Sequence, residues 1–343
     1  MKSDMKKTDI VTFGEIMMRL SPEKGERFYN SGSLDVFYGG AEANVAILSA
    51  GLGMTSRYVT KLPDTPIGRA AFYAIKKSGV NTDNIIFGDE RERLGIYFLD
   101  PGVSQRPSKV VYDRRGSSFA LAKASEYDWE SILDGAGVFH ITGITPALGE
   151  EAYKASLEAV RTAKRLGVSV SVDINYRAKL WGRERAAERI GALLEGADIC
   201  FTNTYQADRL FDTSKGVSEY ESREGFIFAA ENICRKFGVK EVGFTRRVSH
   251  SADRNDLSAV YYKNGVLGTS GEYCVEVMDR VGGGDAFAAG ALFARSRGAE
   301  PSAIAQFGIA LSVLCHTVKG DNAIFNEDEV NEVVRSRGGM IQR

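Results

Sequence analysis

The chain has 343 residues of ordinary globular composition, 43% hydrophobic and 26% charged, which excludes a wholly disordered, collagenous or coiled-coil protein. Lys and Arg number 44 against 45 Asp and Glu, so the near-neutral balance gives no sign of the broad basic surface that non-specific nucleic-acid binding uses. No apolar run approaches the ~18 residues of a membrane span, and the N-terminal MKSDMKKTDI lacks the apolar segment of a secretory signal, so the expectation is a cytoplasmic protein with no nucleic-acid or membrane partner.

At about 150 residues per domain, the length allows one large α/β domain with an insertion, or two domains. Ile10–Phe13 reads as a short strand ending at Gly14-Glu15, and residues 40–52 as a helix rich in small residues. Thr65-Pro66 opens a helix to about Lys77, closed by Gly79. After Gly149, the recurrence of Tyr153, Leu157, Val160, Ala163 and Leu166 predicts an amphipathic helix stopped by Gly167. Val168, Val170 and Val172 alternate in a strand ending at Asp173. Helices follow at Arg183–Leu194, 224–237, 284–297 and 301–315, with strands at Ile199–Thr202 and Glu241–Thr245 and a hairpin around Lys263-Asn264-Gly265. This alternation predicts a mostly parallel sheet covered on both faces, with ligands beyond the carboxyl ends of its strands. Residues 16–40 and 91–120 break the pattern. Their β-rich runs, Gly95–Leu99 and Lys109–Tyr112 among them, read as a small separate sheet able to cover a site. The tail after about Gly338 is expected to fray.

Cys200, Cys234, Cys274 and Cys315 show no CxxC spacing, and His140, His250 and His316 are far apart. Reduced thiols and no dedicated metal site are expected. The strongest local signal is Asp279-Arg280-Val281-Gly282-Gly283-Gly284-Asp285 ahead of an Ala- and Gly-rich helix. Glycines let a backbone approach a ligand closely, and the free N–H groups of a helix start hold anions. Asp285 in the first turn reads as a dipole-stabilised cap or as a base beside an anion hole for phosphoryl transfer. No GxxxxGK[ST] is present, and Gly51-Leu52-Gly53 lacks a third glycine, which argues against a Walker-type NTPase and a dinucleotide-binding dehydrogenase.

The Gly282–Asp285 run, together with Phe13–Pro22 and Tyr38–Ala46, resembles the signatures of the ribokinase-like (PfkB) carbohydrate kinases over about residues 8–330. Within that family the chain is most similar to 2-keto-3-deoxygluconate kinases, through Gly95–Leu99, Ser104–Arg114, Gly143–Pro146, Asp173–Arg177 and His316–Asp321. The resemblance implies a three-layer α/β fold in one domain over residues 1–343, a central mostly parallel sheet flanked by helices, with a small β lid from within 16–40 and 91–120. It implies ATP and Mg²⁺ as cofactors, a small sugar acid as substrate, and a homo-oligomer. Asp285 would be the base and Gly282, Gly283 and Gly284 the anion hole. Gly40, Asn44, Tyr97, Tyr112, Arg114, Ile144, Arg177 and Asp321 would contact the sugar. Asn175, Asn203, Thr245 and Arg247 would face the nucleotide.

The implied reaction is phosphorylation of the 6-hydroxyl of 2-keto-3-deoxygluconate. A sugar acid needs a cation for its carboxylate, and Arg offers a bidentate fork. Arg114 follows Tyr112 by two, so both are expected on one side of a strand. Alternatives are a kinase for fructose, ribose or the C4-epimeric acid, or a catalytically weak sugar-binding homologue. The last is motivated by Gln206, which stands where the family usually carries a Glu that helps to organise magnesium.

Overall fold

In the computed structural model, residues 8–214, 219 and 221–336 are described; the tail after Gly338, expected to fray, lies outside them. The strands are β1 (Thr8–Phe13), β2 (Met17–Ser21), β3 (Asp35–Gly39), β4 (Ser56–Leu62), β5 (Ile85–Phe87), β6 (Gly95–Asp100), β7 (Lys109–Asp113), β8 (Ala136–Thr142), β9 (Ser169–Asp173), β10 (Ile199–Thr202), β11 (Glu241–Ser249), β12 (Arg254–Lys263), β13 (Val266–Thr269) and β14 (Tyr273–Glu276). The helices are α1 (Ala41–Gly51), α2 (Pro66–Lys76), α3 (Ser118–Leu121), α4 (Trp129–Leu133), α5 (Glu150–Arg165), α6 (Arg183–Leu194), α7 (Thr204–Phe211), α8 (Arg223–Phe237), α9 (Gly283–Ser296), α10 (Pro301–Cys315) and α11 (Glu327–Ser336).

The large sheet runs β13-β12-β11-β10-β9-β8-β1-β4-β5, with β14 also paired to β12. Pairing is parallel from β11 to β5 and antiparallel where β12 joins β11, β13 and β14. Two apolar clusters cover its faces, as in other parallel sheets. One packs α5, α6 and α8 against β8 and β9. The other packs α9 and α10 under β10 and β12. The N-terminal aromatic core is dense: the Phe13 ring lies 5.2 Å from Phe119, 4.9 Å from Tyr127 and 4.9 Å from Trp129. Among the described residues no helix is long and apolar enough to cross a membrane, and the four cysteines are free thiols.

The stretches expected to form a separate small sheet do so, in the order β3-β2-β6-β7. The Asn264-Gly265 hairpin is also found, both residues at positive φ (51° and 81°), as a tight two-residue turn requires. Three differences have physical causes. The strand expected at Glu241–Thr245 continues to Ser249, because β12 pairs with it residue for residue back to Asn255. Strands β4 and β8 carried no expectation; they are buried on both faces, so neither shows a period of two. Helix α7 is short and polar, and its start is defined by Asn203 capping rather than by periodicity. Replacing Phe13 with Ala should lower stability by ~3–5 kcal/mol, read from urea unfolding.

Candidate active site

The parallel strands end at one edge, where a cleft of about 560 Å³ opens. β9 brings Asp173 and the turn Asn175–Arg177, β10 brings Thr202 and Asn203, and β11 brings Thr245 and Arg247. The start of α9 brings Gly282, Gly283, Gly284 and Asp285, and Tyr112 reaches in from the small sheet. Gly282 takes φ +79°, and its Cα packs so closely on the Asp321 carbonyl that a Cβ would lie 2.1 Å from the oxygen. A Cβ at Gly284, by contrast, would meet no heavy atom within 4 Å. Its vacancy is therefore open space at a helix start whose first N–H groups have no intrahelical partner.

Asp285 is buried, and the Asn44 side-chain amide donates to its Oδ2 at 2.7 Å. The Asn44 carbonyl oxygen in turn accepts from Asn322 Nδ2 at 2.9 Å and from Gly40 N at 3.4 Å, which fixes the amide's orientation. Burial raises the Asp285 carboxyl to about 6, against the opposing effects of the Asn44 hydrogen bond and the Arg177 charge. Burial, followed by the nearby Asp285 charge, raises Asp173 to about 7. Two carboxylates thus share one desolvated edge with Arg177 as their cation.

Arg247 and Arg280 line the same cleft, neither in an ion pair among the described residues. Burial, then the Arg280 charge, holds Arg247 below its ordinary value. The neighbouring Arg246 is instead bound to Glu221 at 2.8 Å and Glu272 at 2.9 Å. His316 Nδ1 lies 2.7 Å from the Ser312 carbonyl, so Nδ1 carries the hydrogen and Nε2 is bare.

Of the residues expected at the site, Asp285, the three glycines, Tyr112, Asn175, Arg177, Asn203, Thr245 and Arg247 line the cleft. Asn203 also caps α7, its side-chain oxygen accepting from Gln206 N at 2.9 Å. Gln206 Oε1 accepts from Tyr176 N at 3.0 Å, so the amide in place of an acid braces the turn that carries Arg177. Asn175 holds φ +35° and donates its backbone N–H to Asp173 Oδ1 at 3.0 Å.

Six residues do not line the cleft. Asn44 stands behind Asp285. Gly40 caps α1, where a Cβ would lie 2.0 Å from the Glu15 carbonyl oxygen. Ile144 caps a short 3₁₀ turn. Tyr97 donates its hydroxyl to Asp321 Oδ1, and Asp321 also accepts from Arg19 at 3.2 Å. Arg114 lies just past the end of β7 with its guanidinium 5.8 Å from the Tyr112 ring, on the side expected, but Glu15 Oε2 accepts from its Nε at 2.7 Å and from Nη2. A buried guanidinium must be paired, so this fork is already occupied.

Sequence reasoning assigned no role to Asp173, Arg280 or His316, and it read Gln206 only as a missing acid, not as the brace for Tyr176 N. Asp173 was recognisable as the last residue of a buried parallel strand. His316 lies on the far side of α10 in sequence, and only packing brings it to Gly283. Because the folded state raises both carboxyls, it binds more protons than the unfolded chain between about pH 4 and 7, and stability falls as pH rises through that window. Asp173→Asn should therefore raise Tm by ~2–4 °C near pH ~8, with the gain vanishing near pH ~4, in a thermal-melt series.

Comparison with known proteins agrees with this arrangement. The 2-dehydro-3-deoxygluconokinase of Thermotoga maritima superimposes with a TM-score of 0.92 and 42% identity, covering 96% of this chain and 98% of that one. The 2-dehydro-3-deoxygalactonokinase of Haloferax volcanii is 32% identical over 336 residues, 98% of this chain and 99% of that protein. The 2-dehydro-3-deoxygluconokinase of Bacillus subtilis is 26% identical over 320 residues, 92% of this chain and 91% of that protein. The pfkB family carbohydrate kinase pattern matches residues 7–328. With its mostly parallel three-layer sheet, its small second sheet and its glycine turn before Asp285, this chain belongs to the pfkB family of carbohydrate kinases.

Proposed function

We propose that the chain transfers the γ-phosphoryl group of ATP to the 6-hydroxyl of 2-keto-3-deoxygluconate. The observation that carries the chemistry is Asp285, a buried carboxylate in the first turn of α9 directly after the glycine turn. Above pH about 6 it is ionised and takes the proton of the attacking hydroxyl, while Asn44 keeps its second oxygen oriented. The unpartnered N–H groups at the α9 start hold the charge on the transferring group. Arg247 and Arg280, which line the same cleft, bind the remaining phosphates.

Among the described residues no three His, Cys, Asp or Glu side chains form a metal cage. That suits Mg²⁺, which keeps waters and takes only one or two carboxylates beside phosphate oxygens. Asp173, with the amides of Asn203 and Gln206, is the donor set facing the phosphates. Bound there with the nucleotide, the ion neutralises phosphate charge. Arg177, with no hydrogen-bonded carboxylate among the described residues, is the cation left for the sugar's acid group once Arg114 is held by Glu15. The small sheet acts as the lid that keeps water from the phosphoryl group.

The names of the relatives favour a keto-deoxy sugar acid. The Haloferax protein supports a second reading, the C4-epimeric acid. Both carry the same carboxylate. The test is ADP release with Mg-ATP and 2-keto-3-deoxygluconate, its C4 epimer, gluconate, fructose, ribose or no sugar. Activity is expected with the keto-deoxy acids alone, and Asp285→Asn should lower kcat by ~10²–10⁴-fold. Activity on fructose or ribose alone would leave the kinase standing and reject the substrate.

The pH profile checks the base. As Asp285 gains a proton, kcat/KM should fall about tenfold per pH unit below about 6. The Asn44 hydrogen bond lowers the Asp285 carboxyl, so Asn44→Ala should move that acid limb to higher pH. An unmoved limb would assign it to another group.

A further inference from the structure

Arg19 is the largest fully buried side chain of the described residues, yet it belongs to the small sheet and not to the cleft. On β2 it lies in register with Phe37 of β3 and Tyr97 of β6. Its Nη2 donates to Asp279 Oδ2 at 2.6 Å and its Nη1 to Asp321 Oδ2 at 3.2 Å, and the Phe37 ring lies beneath at 4.9 Å. All three charged side chains are nine-tenths or more buried.

The two acids sit on the two loops that shape the glycine turn. Asp279 Oδ1 accepts from the backbone N–H of Arg280 at 2.9 Å, and Asp279 Oδ2 accepts from Gly320 N at 3.1 Å. The Asp321 carbonyl packs on the Cα of Gly282. Tyr97, from the next strand of the small sheet, donates to the other oxygen of Asp321. Val281, inside the turn, packs against Met17, Tyr97 and Leu99 of the small sheet. One planar fork thus ties the small sheet to both loops that present Arg280 and Gly282 to the cleft.

We propose that Arg19 is a positioning residue for phosphoryl transfer: it couples the seating of the small sheet to the geometry of the glycine turn. It is not among the residues that line the cleft. It acts through Asp279 and Asp321, the second of which Tyr97 also holds. The inference rests on the kinase reading above. A lysine keeps the charge but not the two-pronged span, so it cannot hold both acids in one geometry.

The experiment compares Arg19→Lys, Arg19→Met and the charge-balanced pair Arg19→Met with Asp279→Asn, reading Tm, kcat, sugar KM and ATP affinity by titration calorimetry. Arg19→Met strands two buried acids and should lose the most stability, whereas the pair should regain much of it. For Arg19→Lys and the pair, kcat should still fall about tenfold or more and ATP bind about tenfold more weakly, while sugar KM changes by less than about threefold, because the glycine turn and Arg280 shift on the phosphate side. The acid limb of the pH profile should stay where it is, because Asp285 is untouched. Recovery of kcat together with Tm, in either the lysine variant or the pair, would reduce Arg19 to a structural counter-charge and overturn the proposal. Should the wild type release no ADP with any sugar, the substrate and reaction reading fails on its own. ATP affinity then decides for Arg19: about tenfold weaker binding in both variants upholds it, and unchanged binding rejects it.

Discussion

A carboxylate held out of water at the start of a helix is the constraint on which this structure turns. Burial disfavours the ionised form of Asp285, since the desolvated charge is unfavourable. The helix start, the Asn44 amide and the Arg177 charge each favour the ionised form. The balance leaves a carboxyl raised to about 6, ionised near neutrality yet still a competent proton acceptor. Each contributor comes from a different element: α9 for the acid, α1 for the amide and the turn after β9 for the cation. The parallel sheet is what brings those three ends to one edge.

Asp173 sharpens the same point. Burial and then the Asp285 charge raise this second acid, and the Arg177 charge opposes them. Arg177 is placed by a chain of backbone contacts rather than by packing. Asn175 adopts a left-handed conformation, and the Gln206 amide accepts the N–H of Tyr176. The amide at Gln206, which stands where a metal-organising acid was expected, has a defined mechanical role here. Strain of this kind persists only where the surroundings over-determine it.

Buried ion pairs divide the charged residues into two groups. Arg114 with Glu15, and Arg19 with Asp279 and Asp321, are internal ion pairs. Such pairs give little net stability but fix one geometry over others, because breaking them strands a charge. Both sets of pairs join the small sheet or its flanks to loops of the large sheet. Arg177, Arg247 and Arg280 form the other group, open to the cleft and without ion-pair partners among the described residues. The division between structural and ligand-facing cations follows from which acids lie within reach.

Much of this was legible from residue order. Strand and helix alternation, the helix-start glycines before Asp285, the Asn264-Gly265 turn and the β-rich interruptions follow from periods of two and 3.6 and from backbone chemistry local to a few residues. An Asn in the middle of a small-residue helix marked Asn44 as a residue with a task. Partner choice was not legible. Arg114 sits two residues after Tyr112, yet β7 ends between them, and Glu15, 99 residues away, takes the guanidinium. Arg19 meets Asp321 across 302 positions and Asp279 across 260. The sequence by itself determined the sheet, the helix starts and the chemistry at the glycine turn, because those depend on neighbours along the chain. Only the tertiary structure decided which charges are paired and which face the cleft, because pairing depends on distances that the fold alone sets.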